Sequence, residues 1–186
     1  MVRRALIILS ALASAGLACS IFLGGPAYPD PPVPVSTDAG TGLQSAFQDA
    51  MENAAQTGTL TVELTESELT SFLQSKLAEM VDPPITQPQV TLRDGALQVF
   101  GTVQTGIFVA NVSLTAQFSV DQNGQPQINI TQAEYGPFPA PSELTDALGA
   151  LLRETLTGTF GPAAVGFRLE NITIADGKLT LTGRIK

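Results

Sequence analysis

Residues 107–121 read Ile-Phe-Val-Ala-Asn-Val-Ser-Leu-Thr-Ala-Gln-Phe-Ser-Val-Asp, and this stretch decides the fold class. Apolar residues occupy every second position from Phe108 to Val120, with polar residues between most of them. Successive side chains of a β-strand point to opposite faces, so the alternation predicts a long strand with one buried and one wet face. Such strands are typical of an antiparallel sheet that is covered on a single side.

Two-residue turns that tolerate positive φ divide much of the remaining chain into hairpins, at Asp94-Gly95, Asn123-Gly124 and Asp176-Gly177. The strands predicted around these turns are 89–93 with 96–103, 107–121 with 125–134, and 167–175 with 178–185. Residues 59–65 also alternate and predict one further short strand. Most of the sheet is therefore expected to consist of hairpins.

Three segments have the apolar spacing of amphipathic helices. The first is predicted from about Gly42 to Gln56, and the third begins at Ser142 with an apolar face that extends to Leu156. The second follows Thr65, which forms a capping box with Glu68. The predicted fold class is therefore α+β. A long twisted antiparallel sheet is built from hairpins, and its one apolar face is covered by, or wrapped around, two to three amphipathic helices.

Residues 89–103 align with residues 171–185, with Thr, Asp, Gly, Leu and Gly recurring at the same places. A Glu-Leu-Thr helix start precedes each copy. Gly101 and Gly183 fall in mid-strand at matching positions, where a bend or a close backbone approach is expected. The pattern indicates either two helix-plus-hairpin units around a central hairpin or a chance likeness between two ordinary hairpins.

The chain begins with a short basic stretch that includes Arg3 and Arg4, and no charged residue follows from Ala5 to Leu23. This pattern predicts an export segment. Three outcomes fit it: lipid modification at Cys19 after cleavage, an uncleaved membrane helix, or ordinary cleavage further upstream. Residues 16–19 resemble a bacterial lipoprotein box, although Gly16 stands where that box normally has Leu.

The chain therefore divides into three predicted parts. Residues 1–24 form a signal, lipoprotein or transmembrane anchor segment. Residues 25–41 form a proline-rich linker, which we expect to be an extended, semi-rigid spacer. Residues 42–186 form a single extracytoplasmic α+β domain.

The composition excludes several classes of active site. The chain has no His, and its one Cys, Cys19, lies in the export segment. Nucleophile pairs that need His, His metal sites and disulfides in the folded part are therefore excluded. Carboxylates at helix starts and turns are better explained by capping and turn formation than by acid–base chemistry or calcium binding: Glu66, Glu68, Glu143, Asp146, Asp94 and Asp176. We predict no enzyme, no metal site and no cofactor.

Charge further limits the partners. The chain has 17 acidic and nine basic residues, and a formal net charge of −8 at pH 7. Such a balance argues against nucleic-acid binding and against electrostatic attachment to anionic lipids. Any contact with lipid must therefore be apolar.

Apolar side chains of the second and third helices face the apolar side of the long strand in this arrangement. They form either an ordinary closed core or an apolar groove between the helices and the sheet. The lining that we predict for such a groove is Phe72, Leu73, Leu77, Val112, Leu114, Phe118, Leu148, Leu151 and Leu152.

Residues 64–73, 92–95, 136–141 and 174–183 together resemble the bacterial YpmS-like and LmeA-like envelope proteins, over about Leu60 to Lys186. The resemblance implies a membrane-anchored, extracytoplasmic protein whose long twisted sheet wraps around helices. It also implies binding of a phospholipid or another amphiphile, as in tubular lipid-binding folds. It does not include the first helix, the proline-rich segment or Cys19, and it carries over no catalytic residue.

The function expected from the sequence is that of a non-catalytic binding protein for a phospholipid or another apolar ligand. We expect it at the extracytoplasmic face of the cell membrane, attached to the membrane by its N-terminal anchor. The alternative is a structural or protein-interaction domain of the cell envelope, with a closed core and an envelope protein partner. Neither hypothesis involves nucleic acid.

Overall fold

The computed structural model describes residues 20–157 and 167–185. The predicted α+β class is confirmed, since these residues form three helices and two mainly antiparallel sheets. In chain order the elements are β1 (Ile21–Phe22), α1 (Thr37–Thr57), β2 (Thr59–Thr65), α2 (Glu66–Ala78), β3 (Thr86–Arg93), β4 (Ala96–Thr105), β5 (Phe108–Val120), β6 (Pro126–Tyr135), β7 (Phe138–Pro139), α3 (Ser142–Thr157), β8 (Phe167–Ala175) and β9 (Lys178–Ile185).

The larger sheet has the strand order β3-β4-β5-β6-β7, and the short β1 pairs in parallel with the start of β5. In β5, every second residue from Ala110 to Ala116 is buried, while the residues between them are only partly buried. The long strand therefore has the one-sided burial that its sequence predicted.

The smaller sheet has the order β2-β9-β8. The third hairpin is thus part of a separate sheet, which differs from the single long sheet expected from the sequence. In the smaller sheet β9 is central: β2 pairs with one of its edges from Thr59 to Thr65, and β8 pairs with the other. The two sheets meet where Leu169 N donates to Gly124 O at 3.2 Å, in the β5–β6 turn.

Two of the three predicted turns are confirmed, because both residues of Asp94-Gly95 and of Asp176-Gly177 have positive φ. The β5–β6 turn differs from the prediction, since Gly124 has positive φ whereas Asn123 does not. Its closing hydrogen bond runs from Asp121 N to the Gln125 carbonyl at 2.9 Å. The Asp121 carboxylate also accepts from Asn123 N and Gln125 N, both at 2.8 Å, and this favours the longer turn.

The β3–β4 and β8–β9 hairpins share an irregularity beyond their common turn. In each hairpin the first strand shifts register beside a glycine of the second strand, which is Gly101 in β4 and Gly183 in β9. A Cβ at Gly101 would lie 2.7 Å from Ile85 Cδ1, and one at Gly183 would lie 2.7 Å from the Arg168 carbonyl oxygen. The expected close approaches are therefore confirmed, and the shared geometry supports two helix-plus-hairpin units.

The helix starts follow local side-chain capping. The predicted capping box of α2 is confirmed, since Glu68 N donates to Thr65 Oγ1 at 3.3 Å and Thr65 N donates to Glu68 Oε2 at 2.8 Å. Helix α1 begins before its predicted start at Gly42, because Ser36 Oγ accepts from Ala39 N at 3.0 Å and caps the helix there. Helix α3 begins at Ser142 as predicted. The side chain of Leu156 lies outside the described residues.

The proline-rich segment lies against the larger sheet and α2. Asn111 Nδ2 donates to the Pro26 carbonyl at 3.2 Å, and Ser67 Oγ donates to the Pro34 carbonyl at 2.7 Å. Prolines lack an N–H but keep their carbonyl acceptors, so such a segment can still be attached to a neighbouring surface. The predicted linker, residues 25–41, also includes the first turn of α1.

Most of the predicted anchor segment, with Cys19, lies outside the described residues, which include only its last five positions, 20–24. In the described part of the chain, no helix combines the length and apolar character that crossing a membrane requires. The choice between lipidation at Cys19 and an uncleaved membrane helix therefore stays a prediction.

One continuous apolar core lies between the sheets and helices α1 and α2. Its largest fully buried side chains come from both sheets and from the α2–β3 connection: Leu60, Leu64, Ile85, Leu92, Leu114, Leu179 and Leu181. This core fixes the position of β5. The C-terminal end of β5 extends toward α3.

Candidate functional site

Five of the nine residues predicted to line a groove lie inside the closed core. They are Leu73, Leu77, Val112, Leu114 and Leu148, each no more than 7% exposed. Phe72 is partly buried and packs against the core, and Lys76 Nζ lies 6.0 Å from the centre of its ring. The structure therefore does not bring the α2 residues to an open groove.

The other three predicted residues belong to a less completely buried region beside α3. Helix α3 packs on β6, and partly buried apolar side chains of α3, of β6 and of the end of β5 surround this contact. We call this set the α3 layer. It consists of Phe118, Val120, Ile128, Ile130, Leu144, Leu151 and Leu152.

Sequence reasoning missed four members of the α3 layer, although each has a visible signal. Ile128 and Ile130 alternate with Asn129 and Thr131 in β6, which is the period of a half-buried strand. Val120 continues the alternation of β5, and Leu144 lies on the apolar face that was predicted for α3. The packing of α3 on β6 could not be predicted from the sequence.

A narrow void separates the α3 layer from the core. It measures about 20 Å³, which is close to the space that one water molecule needs. Its walls come from all three helices and both sheets: Phe47, Leu64, Leu69, Leu97, Phe118, Leu152 and Leu179. An acyl chain fits there only after side chains of the α3 layer move.

A glycine sets the distance between α3 and β6. Gly149 is buried, and a Cβ at this position would lie 3.0 Å from Ile130 Cδ1. This is tighter than ordinary van der Waals contact, so the absence of a side chain allows the helix to approach the strand closely. The Ile130 side chain and the Arg153 guanidinium both lie beside this point, the latter with its Nη2 at 3.4 Å from the position of such a Cβ.

A larger depression of about 640 Å³ opens at the surface between the N-terminal segment and the β6–β7 turn. Its walls consist mainly of glycine, proline and polar residues: Gly25, Pro26, Gln132, Ala133, Glu134, Gly136, Pro137, Phe138 and Pro139. The depression is open to solvent and its lining mixes polar and apolar groups, so we assign no acyl chain to it.

Carboxylates that were candidates for chemistry have structural partners. Glu66 Oε1 accepts from Leu92 N at 2.7 Å, and Glu68 belongs to the capping box of α2. On the smaller sheet, the hydrogen bond from Lys178 Nζ to Glu63 at 2.8 Å, together with the charge of Glu63, raises the pKa of Lys178. Within residues 20–157 and 167–185, no three His, Cys, Asp or Glu side chains are grouped to hold a metal ion.

The comparison with known proteins identifies the family. Residues 34–184 match the family described as LmeA-like phospholipid-binding. The chain belongs to this family. The LmeA-like part of the resemblance is thereby confirmed, whereas the YpmS-like part is not. No curated protein matches the chain in sequence.

The LmeA-like match extends further toward the N-terminus than the resemblance seen in the sequence. It begins at Pro34, so it includes α1, which the comparison from about Leu60 had left out. It also includes every residue of the α3 layer and of the void beside it. Residues 20–33, which contain β1, precede the matched range.

Proposed function

We propose that this protein is a non-catalytic phospholipid-binding protein, attached to the extracytoplasmic face of a membrane by its N-terminus. The observation that carries the proposal is the half-buried α3 layer in a chain that belongs to a phospholipid-binding family. Seven of the apolar side chains that are only partly buried around the core belong to the α3 layer. A lipid chain placed there would complete their burial.

We infer that the acyl chain lies between α3 and the end of the larger sheet, against Phe118, Ile130 and Leu152. The void at Phe118 and Leu152 is the starting point, and movement of α3 away from β6 would enlarge it. Burial of apolar surface stabilises a complex by roughly 25 cal/mol per Å² before ordering costs. The acyl chain would thus replace helix–strand contacts with lipid contacts.

Attachment to the membrane is supported by the N-terminal sequence. Arg3 and Arg4 precede the uncharged stretch Ala5–Leu23, and this order favours an orientation with the positive charge on the cytoplasmic side and the folded part outside. The mass of the N-terminal peptide from membrane-extracted protein distinguishes the two anchors. A peptide that begins at Met1 or Val2 excludes lipidation at Cys19, whereas a diacylated peptide that begins at Cys19 supports it.

The non-catalytic part of the proposal rests on the residues themselves. The absence of His from the sequence removes the usual near-neutral general base. Glu66 and Glu68 hold the backbone at the start of α2 and at β3, so their carboxylates already have structural roles. A binding function needs only the apolar surfaces described above.

Lipid binding is tested by filling the void from α3. Leu152→Trp introduces a side chain too large for a space of about 20 Å³, so the variant should lose most of its bound phospholipid. Ala150→Trp is the matched control, because Ala150 is exposed on the same helix and should leave binding unchanged. Native mass spectrometry of full-length protein, extracted in mild detergent and incubated with phosphatidylglycerol, counts the lipids bound.

A closed-core structural domain is the second candidate function, and the small size of the void favours it. On this hypothesis the wild-type protein carries no lipid, and Leu152→Trp changes nothing except stability. A folded Leu152→Trp variant that binds as much lipid as the wild type would contradict the proposed site. A stoichiometric envelope protein recovered with lipid-free chain would support the alternative.

A further inference from the structure

One end of the larger sheet exposes a group of large apolar side chains. Phe138 is 63% exposed, Phe22 61% and Ile107 52%. Three further exposed apolar residues adjoin them in sequence, and we call the six together the apolar end: Ile21, Phe22, Leu23, Ile107, Phe108 and Phe138. Single exposed apolar side chains are ordinary, but a group of six at one end of a sheet indicates a contact surface.

The strand pairing brings these residues together from three separate parts of the chain. Ile21 pairs with Phe108, and Phe138 pairs with Tyr135, which in turn pairs with Val112 of β5. The α2–β3 loop enters the sheet from the same end, since Thr86 pairs with Thr102 near the end of β4. That loop adds the exposed side chains of Met80 and Val81.

The uncharged N-terminal stretch leads directly into the apolar end. It extends from Ala5 to Leu23, and its last three residues belong to the apolar end itself. Ile21 N donates to Ile107 O at 2.7 Å, and Leu23 N donates to Val109 O at 2.8 Å. The last residues of the uncharged stretch are therefore hydrogen-bonded to the larger sheet.

A glycine makes this connection close. Gly25 has φ of +130°, and a Cβ there would collide with the Asn111 carbonyl oxygen. Asn111 N also donates to Gly24 O at 3.0 Å. The segment that follows the anchor thus continues along the sheet, and it leaves little chain for the folded part to stand away from the membrane.

The six residues of the apolar end have no charged residue beside them in sequence, whereas Glu79 and Asp82 flank Met80 and Val81 in the neighbouring α2–β3 loop, and the chain as a whole has a net charge of −8. Residues 20–29, 104–120 and 135–140 contain no Asp, Glu, Lys or Arg. The carboxylate nearest in sequence, Glu134, accepts hydrogen bonds from Ser113 Oγ and Gln132 Nε2. Apolar side chains without neighbouring charge can enter the headgroup–acyl boundary of a bilayer with little electrostatic penalty.

We propose that the apolar end docks on the lipid bilayer and inserts its exposed side chains into the interface, so that the strands of the larger sheet point away from the membrane. This inference rests on the membrane attachment in the proposed function but not on lipid binding beside α3. Helix α3 begins shortly after Phe138, so its first turn would lie nearest to the bilayer. A lipid leaving the membrane would then reach the α3 layer from that side.

Single tryptophans test the docking, because the chain contains no Trp of its own. Full-length protein is reconstituted into phosphatidylcholine vesicles that carry bromine on the acyl chains, which quench nearby Trp fluorescence. Ile107→Trp and Phe138→Trp are the reporters, and Phe22→Trp beside the anchor is the positive reference. Gln122→Trp is the negative control, since the 13 residues of β5 place it about 40 Å from Ile107.

We expect the Trp residues at positions 107, 138 and 22 to lose most of their emission, and the one at position 122 to lose almost none. Quenching at 22 without quenching at 107 and 138 overturns docking but leaves the anchor intact. No quenching at any position, with protein that does not float with vesicles, overturns both. Because the end is uncharged, adding phosphatidylglycerol should not increase the quenching, and a requirement for this anionic lipid would contradict apolar docking.

Discussion

Helices α2 and α3 contain the same Glu-Leu-Thr tripeptide, yet their threonines bond differently. Thr70 Oγ1 of α2 accepts from Val90 N at 2.9 Å, and Thr70 is fully buried. The matching Thr145 of α3 is only partly buried, and its Oγ1 donates at 3.1 Å to the carbonyl of Pro141, just before its own helix. Helix α2 is thus hydrogen-bonded to the sheet through Thr70, whereas the matching Thr145 bonds to the residue just before its own helix.

The difference follows from what each helix covers. Helix α2 lies along β3 at the edge of the larger sheet, where Glu66 and Thr70 accept hydrogen bonds from two backbone N–H groups of β3 that pair with no other strand. Helix α3 packs on β6 through the half-buried α3 layer. Regions with less buried apolar contact open at lower free energy, so the α3 unit is expected to open more readily than the α2 unit, as the proposed lipid site requires.

The largest effect is expected from truncating the leucine of each tripeptide. Leu69→Ala should lower the free energy of unfolding by about 2–4 kcal/mol, because Leu69 is buried and its removal leaves a cavity. Leu144→Ala should cost about 1 kcal/mol, because its side chain is already partly exposed. Urea denaturation followed by circular dichroism measures both. Equal losses would show that α3 is packed as firmly as α2.

Substitution of the two threonines separates hydrogen bonding from packing. Thr70→Val should lower the free energy of unfolding by about 1–3 kcal/mol, because Val90 N loses its acceptor in a buried place. Thr70→Ser retains the hydroxyl and is the control, and it should restore part of the loss. Thr145→Val should change stability by no more than about 0.5 kcal/mol. Hydrogen exchange at the Val90 amide should accelerate in Thr70→Val, and unchanged exchange would contradict the role of Thr70.

Local rules in the sequence were sufficient for most of the elements. The alternation in β5, the Asp-Gly turns and the Thr65 capping box depend on residues within a few positions of one another. Long-range pairing was not predictable in this way. The β2–β9 pairing joins Thr59 to Arg184, and nothing in either strand alone specifies that partner.

The predicted groove lining stays a prediction, because it too depends on long-range packing. Phe118 and Leu152 line the same small void, whereas Leu73 and Leu77 have equally apolar neighbours and lie in the closed core. The apolar stripe of a helix shows which face of the helix is buried, but not how completely each side chain is removed from water. The position of the proline-rich segment was also unexpected, because its attachment depends on carbonyl groups that every sequence has.

The smallest effect on stability is expected for Tyr28, which attaches the N-terminal segment to the β3–β4 hairpin of the α2 unit. Tyr28 Oη donates to the Gln87 carbonyl at 3.2 Å and shares a hydrogen bond of 2.9 Å with Thr102 Oγ1. Burial raises the pKa of Tyr28 above its ordinary value of 10.0, and the hydrogen bond with Thr102 opposes part of that rise. The folded state therefore favours the neutral phenol over the phenolate.

The sign of the pH dependence follows from this shift. Because the pKa of Tyr28 is higher in the folded than in the unfolded chain, its contribution to stability is complete below pH 10.0 and is lost as the pH rises through the folded-state pKa. Tyr28→Phe removes that ionisation and should lower the free energy of unfolding at neutral pH by about 1 kcal/mol.

The ionisation can be followed directly in a Tyr135→Phe background, where Tyr28 is the one remaining tyrosine of the sequence. Its phenolate absorbance should have a midpoint above pH 10.0. Base catalysis accelerates the exchange of every amide as the pH rises, so hydrogen exchange in β3 and β4 should accelerate over the same range relative to exchange in β6. A midpoint at or below 10.0 would mean that the segment is detached from the sheet in solution. In that case α2, without the N-terminal segment, would account for any greater stability of the α2 and β3–β4 unit over the unit that contains α3.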